Sequence, residues 1–115
     1  MKNKFLIFCI GFLSLFAFNS CITEVITCKI LLPQSGAEFW QRETISVFVE
    51  ASTNKGTIVQ VQVFVGDNVL GSLTTPPYNF IIPTDSLSTG IHYLTAVAYS
   101  ASNQEIDAIF ITIKE

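Results

Sequence analysis

Hydrophobic and polar positions alternate along most of the chain beyond residue 29. In Thr44–Ala51 the side chains of Ile45, Val47, Val49 and Ala51 face one way, and Thr44, Ser46 and Glu50 face the other. Phe48 is the one large apolar residue on that second face. Ile58–Val65 repeats the pattern, with Val59, Val61, Val63 and Val65 on one side and Gln60, Gln62 and Phe64 on the other. In Ile91–Tyr99, His92, Leu94, Ala96 and Ala98 share a face. A period of two marks β-strands, because successive side chains of an extended chain point to opposite faces.

Turn residues divide these runs. Pro33 and Gln34-Ser35-Gly36-Ala37 stop a short apolar strand at Lys29–Leu32, and Thr53-Asn54-Lys55-Gly56 follows the second strand. Gly66-Asp67-Asn68 predicts a tight hairpin leading back into Asn68–Leu73, since Gly and Asn tolerate positive φ. Tyr78–Ile82 is closed by Pro83, and Ser100–Gln104 leads to a last strand at Ile106–Lys114. No stretch carries a sustained helical stripe. About seven strands with turns every 8–12 residues predict an all-β fold, a Greek-key β-sandwich.

The start of the chain has a different character. Lys2 and Lys4 precede Phe5–Phe18, fourteen uncharged residues that hold five of the ten phenylalanines. As a helix this run spans about 21 Å, short of the ~30 Å hydrocarbon core of a bilayer. A basic start, a short apolar core and a small-residue region define a secretory signal, so residues 1–20 are expected to be removed. Phe18-Asn19-Ser20-Cys21 resembles the looser lipobox of Bacteroidetes lipoproteins. Phe18 and Asn19 depart from the Leu and small residue of the preferred pattern, while Ser20 is tolerated before the cysteine, where Gly or Ala is preferred. The resemblance implies a lipid on Cys21, a tether over residues 21–28 and a folded domain over residues 29–115. Without a lipid, Cys21 and Cys28 could instead close a small disulfide loop in an oxidising compartment.

Loss of Lys2 and Lys4 leaves four basic against nine acidic side chains, a net charge of −5. Such a body repels phosphate backbones, which argues against nucleic-acid binding.

The run from Val59 to Ile113 resembles bacterial immunoglobulin-like domains of cell-surface and secreted proteins. The matching residues are Val61, Val65, Leu70, Gly71, Pro77, Tyr78, Gly90, Leu94, Ala96 and Ala98, with Val63 at a Phe position. Two departures stand out: the usual Asp-Gly hairpin is written Gly66-Asp67, and Ser100 stands where an Asp is expected. The resemblance implies the immunoglobulin-like form of the sandwich and an extracytoplasmic setting. It implies no single activity, since such domains serve as spacers, adhesion modules and carbohydrate-binding parts.

Candidate chemistry is sparse. His92 is the only histidine, so a His-paired nucleophile would have to use it. Its place beside Leu94 and Ala96 instead suits a ring that caps backbone groups at a loop corner. No Gly-x-Ser-x-Gly elbow or phosphate-binding Gly-rich loop occurs. Glu105 and Asp107 share a face, with Glu115 beyond, and Glu38 and Glu43 precede the second strand. None has the spacing of a calcium loop, and they read as a solvated acidic face.

Phe39-Trp40 and Phe64 are the candidates for exposed aromatics. Phe64 lies with Gln60 and Gln62, away from the valines, and Trp40 stands beside Gln41-Arg42-Glu43. Aromatic rings flanked by amides suit sugars or flat partner surfaces. Trp40, Phe64, Gln60 and Gln62 are therefore the candidate partner-binding surface. The expected protein is a non-enzymatic lipoprotein of the cell envelope, on the outer membrane and facing the periplasm or the cell exterior, without a cofactor or metal. Its partner would be a glycan or an envelope protein; the alternative is a structural spacer with no ligand.

Overall fold

The computed structural model describes residues 23–115; residues 1–20, expected from the sequence to be a signal, and Cys21 lie outside them. Eight strands follow in order: β1 (Ile26–Leu32), β2 (Ala37–Trp40), β3 (Thr44–Thr53), β4 (Gln60–Val65), β5 (Asn68–Leu73), β6 (Tyr78–Pro83), β7 (Gly90–Tyr99) and β8 (Gln104–Lys114). They form a three-stranded sheet, β1-β3-β6, and a five-stranded sheet, β2-β8-β7-β4-β5. The all-β sandwich expected from the alternation is therefore present.

The strand count and several boundaries differ from the sequence reading. β2 is an eighth strand, four residues long and parallel to the end of β8. It arises because the chain leaves the three-stranded sheet at Pro33, turns at Gly36 (φ 88°) and joins the other sheet. Residues 26–28, read as the end of a tether, are instead the first part of β1, paired with Ala51–Thr53 of β3. Ile26 and Cys28 pack toward the core from there, so the domain begins earlier than residue 29. Val59 shares the parity of Val61 and Val63 but precedes β4 and is 46% exposed. The chain there is tied by its N–H to the Tyr99 carbonyl, beyond the packed part of the sandwich.

Between the sheets, Ile45, Val47 and Val49 of β3 and Tyr78, Phe80 and Ile82 of β6 meet Val61, Val63, Leu94, Ala96, Ile111 and Ile113 of the larger sheet. Burying these β-branched and aromatic side chains on two inner faces is the main driving force for the fold. The Gly66-Asp67 hairpin has positive φ at Gly66 (60°) and not at Asp67, the arrangement of a type II′ turn. Ser100 closes the β7–β8 connection: its N–H donates to the Asn103 carbonyl at 2.8 Å, and its Oγ accepts the Asn103 N–H at 3.1 Å. A buried Thr84 hydroxyl, in a 3-10 turn at Thr84–Ser86, donates to the Glu43 carbonyl and ties that turn to the β2–β3 corner.

The chain enters the domain through a polar clasp. The Glu24 carboxylate accepts from the Thr53 hydroxyl (2.8 Å), the Ser102 hydroxyl (3.1 Å) and the Asn103 amide (3.1 Å). These donors, the Thr53 hydroxyl foremost, hold its pKa down from 4.5 to about 2. A depressed pKa means the clasp stabilises the fold fully above pH 4.5 and loses that contribution as pH falls toward 2. NMR shifts of Thr53, Ser102 and Asn103 should therefore titrate together with a midpoint near pH 2, and stop doing so in Glu24→Gln. A midpoint at the ordinary carboxylate value would show the clasp unformed.

Candidate functional site

The outer face of the five-stranded sheet carries six of the ten large apolar residues that stay exposed among the described residues. By register, Tyr93 of β7 lies opposite Phe110 of β8, Ile91 opposite Thr112, and Val97 opposite Ile106. On the other side of β7, Phe64 lies opposite Thr95, and Val69 of β5 flanks Phe64 in turn. Trp40, at the end of β2, pairs with Lys114. Trp40, Val69, Ile91, Tyr93, Ile106 and Phe110 are each 39–61% exposed although they share one sheet face. Soluble domains commonly scatter single exposed apolar residues; here six lie on one sheet face.

Local hydrogen bonds fix the corner that carries Trp40. The Trp40 N–H donates to the Glu43 carboxylate at 2.7 Å and its carbonyl accepts the Glu43 N–H at 3.1 Å, closing a corner in which Arg42 has φ 77°. Lys114 spans this corner, with its ammonium 3.0 Å from Glu38 and 4.6 Å from the centre of the indole ring. Its charge is thus matched at the edge, and the centre of the face on β4, β7 and the middle of β8 holds no charged side chain. Phe110 lies over Gly36, where an added Cβ would come within 3.6 Å of the ring.

All four residues of the candidate surface read from the sequence lie on this face. Trp40 is exposed on β2. Phe64 is half-buried on β4, between its neighbours on β5 and β7, with Gln60 and Gln62 on the same strand. Gln62 accepts from the Tyr99 hydroxyl at 3.2 Å. β7 and β8 separate Trp40 from β4, and the side chains that bridge the gap are Tyr93 and Phe110, which the sequence reading did not single out. Phe39, grouped there with Trp40 as a candidate for exposure, points the other way and packs against the core.

The remaining candidates take structural places. The His92 Nε2–H donates to the Ser88 carbonyl at 2.7 Å, the corner-capping role expected of it. Asp107 faces inward and accepts the Ile30 N–H at 2.8 Å, bridging the two sheets, rather than lying on a solvated acidic face. Its partner Glu105 is exposed. Cys28 also faces inward, its thiol 3.6 Å from the Ala96 carbonyl, and has no disulfide partner among the described residues. Burial, with the nearby Asp107 charge, pushes this thiol up to about 11, so it is a poor nucleophile at neutral pH.

The bacterial Ig domain family matches residues 27–96, more than half of the chain. The chain belongs to this family. The matched part of this bacterial Ig domain begins in β1 and ends within β7. Among solved structures, the Clostridium thermocellum CbhA fibronectin(III)-like modules resemble it with a TM-score of 0.70 and 24% identity, over 81% of this chain and 48% of theirs. The endo-β-1,4-mannanase of Thermotoga petrophila has a TM-score of 0.65 at 20% identity, over 79% of this chain and 20% of its own. The β-glucuronidase of Bacteroides uniformis gives 0.55 at 18%, over 78% and 11%. At these identities the likeness is one of fold, and the bacterial Ig domain spans less than half the length of each. Compared with curated protein sequences, the chain finds no match.

Proposed function

We propose that the chain is an extracytoplasmic lipoprotein, anchored by a lipid on Cys21, whose Ig-like domain is a non-enzymatic binding module. Its recognition surface is the outer face of the five-stranded sheet, with Trp40, Tyr93, Phe110 and Phe64 as the apolar platform and Gln60 and Gln62 as polar neighbours. The observation that carries this reading is the cluster of six large apolar side chains, 39–61% exposed on one face of a domain whose core is already filled. Flat aromatic rings beside amides fit the C–H face of a sugar ring or the flat surface of an envelope protein. The larger chains that contain a domain of this fold include a mannanase and a β-glucuronidase, and a glycan partner agrees with that company. The basic start, apolar run and Cys21 support export and lipid anchoring to a membrane, which we take to be the outer membrane.

The test is a glycan and envelope-protein binding screen of the mature domain beside its Trp40→Ala and Tyr93→Ala variants. Binding that both variants weaken supports the reading and names the partner class. Silence across the screen, or binding indifferent to both substitutions, would favour a structural spacer.

A further inference from the structure

The chain reaches the sandwich at one pole and is fastened there. Asn54 accepts the Val25 N–H on its side-chain oxygen (2.8 Å), donates its amide to the Thr23 carbonyl (3.2 Å) and donates its backbone N–H to the Val25 carbonyl (3.2 Å). With the three bonds to Glu24, the segment Thr23–Val25 is tied to both the β3–β4 and the β7–β8 connections. Only one residue separates Thr23 from Cys21, and two residues of chain reach at most about 7 Å. A flexible tether lets a domain tumble, with a reach that grows as the square root of its length. Here almost no free length remains.

The surface of this pole suits a lipid interface. Val25 and Val59 are exposed there, together with Pro76, Pro77 and Lys55. Of the carboxylates at this end, Glu24 is taken up in the clasp, while Glu50, beside Pro76 and Pro77, and Glu105 are exposed. At the other pole lie the end of β2, the start of β7 and the end of β8. Ten residues of β7 at about 3.3 Å each put that pole some 30 Å away.

We propose that the domain stands on the anchoring bilayer by the pole formed by residues 23–25, 53–59, 74–77 and 100–103. Apolar Val25 and Val59 meet the interface and Lys55 meets headgroup phosphates. The clasp fixes this posture, so Trp40, Ile91, Tyr93 and Phe110 are held on the half of the sheet away from the lipid. This inference rests on the lipidation of Cys21 proposed above.

The test uses the full chain, processed in cells, purified from membranes and reconstituted into phosphatidylcholine vesicles containing a headgroup-nitroxide lipid. Bimane is attached at Thr57→Cys, on the lipid-facing pole, or at Asp67→Cys, on the far hairpin; the packed Cys28 thiol stays unlabelled at neutral pH. Quenching several-fold stronger at residue 57 than at residue 67 is the expected result, and it should even out in Glu24→Gln/Asn54→Ala, with unchanged amide exchange in β4 and β7 as the check of folding. Equal quenching at the two positions in the unaltered clasp, or stronger quenching at 67, would overturn the proposed posture. Detergent-phase partitioning of the same preparations separates the two failures. Protein that stays in the aqueous phase contradicts the lipidation of Cys21, and the posture with it; protein that partitions with detergent but quenches equally contradicts the posture alone.

Discussion

Replacing Leu94 by Ala is expected to cost about 3 kcal/mol of stability, the range measured for emptying a packed leucine site. Leu94 has no exposed surface and stands on β7, the strand that joins the two halves of the larger sheet. The core it belongs to is built mostly of β-branched valine and isoleucine side chains. Such side chains have few rotamers with which to collapse into a cavity. For a domain of about ninety residues this corresponds to a fall in Tm of roughly 15 °C. Thermal unfolding followed by circular dichroism measures it directly. A fall of only a few degrees would mean that the two sheets do not close on Leu94 as described.

The residue immediately before it should behave in the opposite way. Tyr93 points out of the same strand, is 61% exposed and stands opposite Phe110 at the middle of the apolar face. Tyr93→Ala gives up a cross-strand aromatic pair, worth under about 1 kcal/mol, so the fold should persist with little change in Tm. Its effect should fall on binding. Central aromatic anchors of an interface cost 2 kcal/mol or more when truncated, which is about a 30-fold rise in Kd. Trp40→Ala, at the rim beside Lys114, should give a smaller loss of the same kind. The neighbouring substitutions thus separate stability from recognition: Leu94→Ala lowers the folded fraction and leaves the affinity of folded molecules unchanged, whereas Tyr93→Ala does the reverse. Equal affinities for wild type and Tyr93→Ala would remove this face from the binding account.

The contrast between Leu94 and Tyr93 also shows how far the pattern of residues could be read. β3 and β4 were legible because valine and isoleucine alternate with Ser, Glu and Gln, so the inner face announces itself. β7 and β8 are apolar on both faces. There the alternation offers no contrast, and it located the core face of Leu94, Ala96 and Ala98 without showing that Ile91, Tyr93 and Phe110 on the opposite face remain open to solvent. Phe64 faces outward with Gln60 and Gln62, but its neighbours on β5 and β7 leave it half-buried rather than exposed. Trp40 was legible because polar residues surround it. β2 was not: four residues between a turn and a corner carry no period, and their parallel pairing with β8 depends on partners some seventy residues away. The first turn of β1 was hidden for a related reason. Ile26-Thr27-Cys28 is too short to show alternation, and its strand character comes from pairing with β3. The inward turn of Asp107 was equally unreadable, because the Ile30 N–H it accepts belongs to a strand almost eighty residues earlier.

The most direct test of the recognition face requires no knowledge of the ligand. Hydroxyl-radical footprinting compares the purified protein with the same protein in intact cell envelopes, reading modification of Trp40, Tyr93 and Phe110 against Phe48, which lies half-buried on the outer face of the smaller sheet. If the five-stranded sheet binds an envelope partner, modification of the three aromatic residues should drop several-fold in envelopes while Phe48 stays unchanged. Equal modification of Trp40, Tyr93 and Phe110 in both preparations would contradict the account.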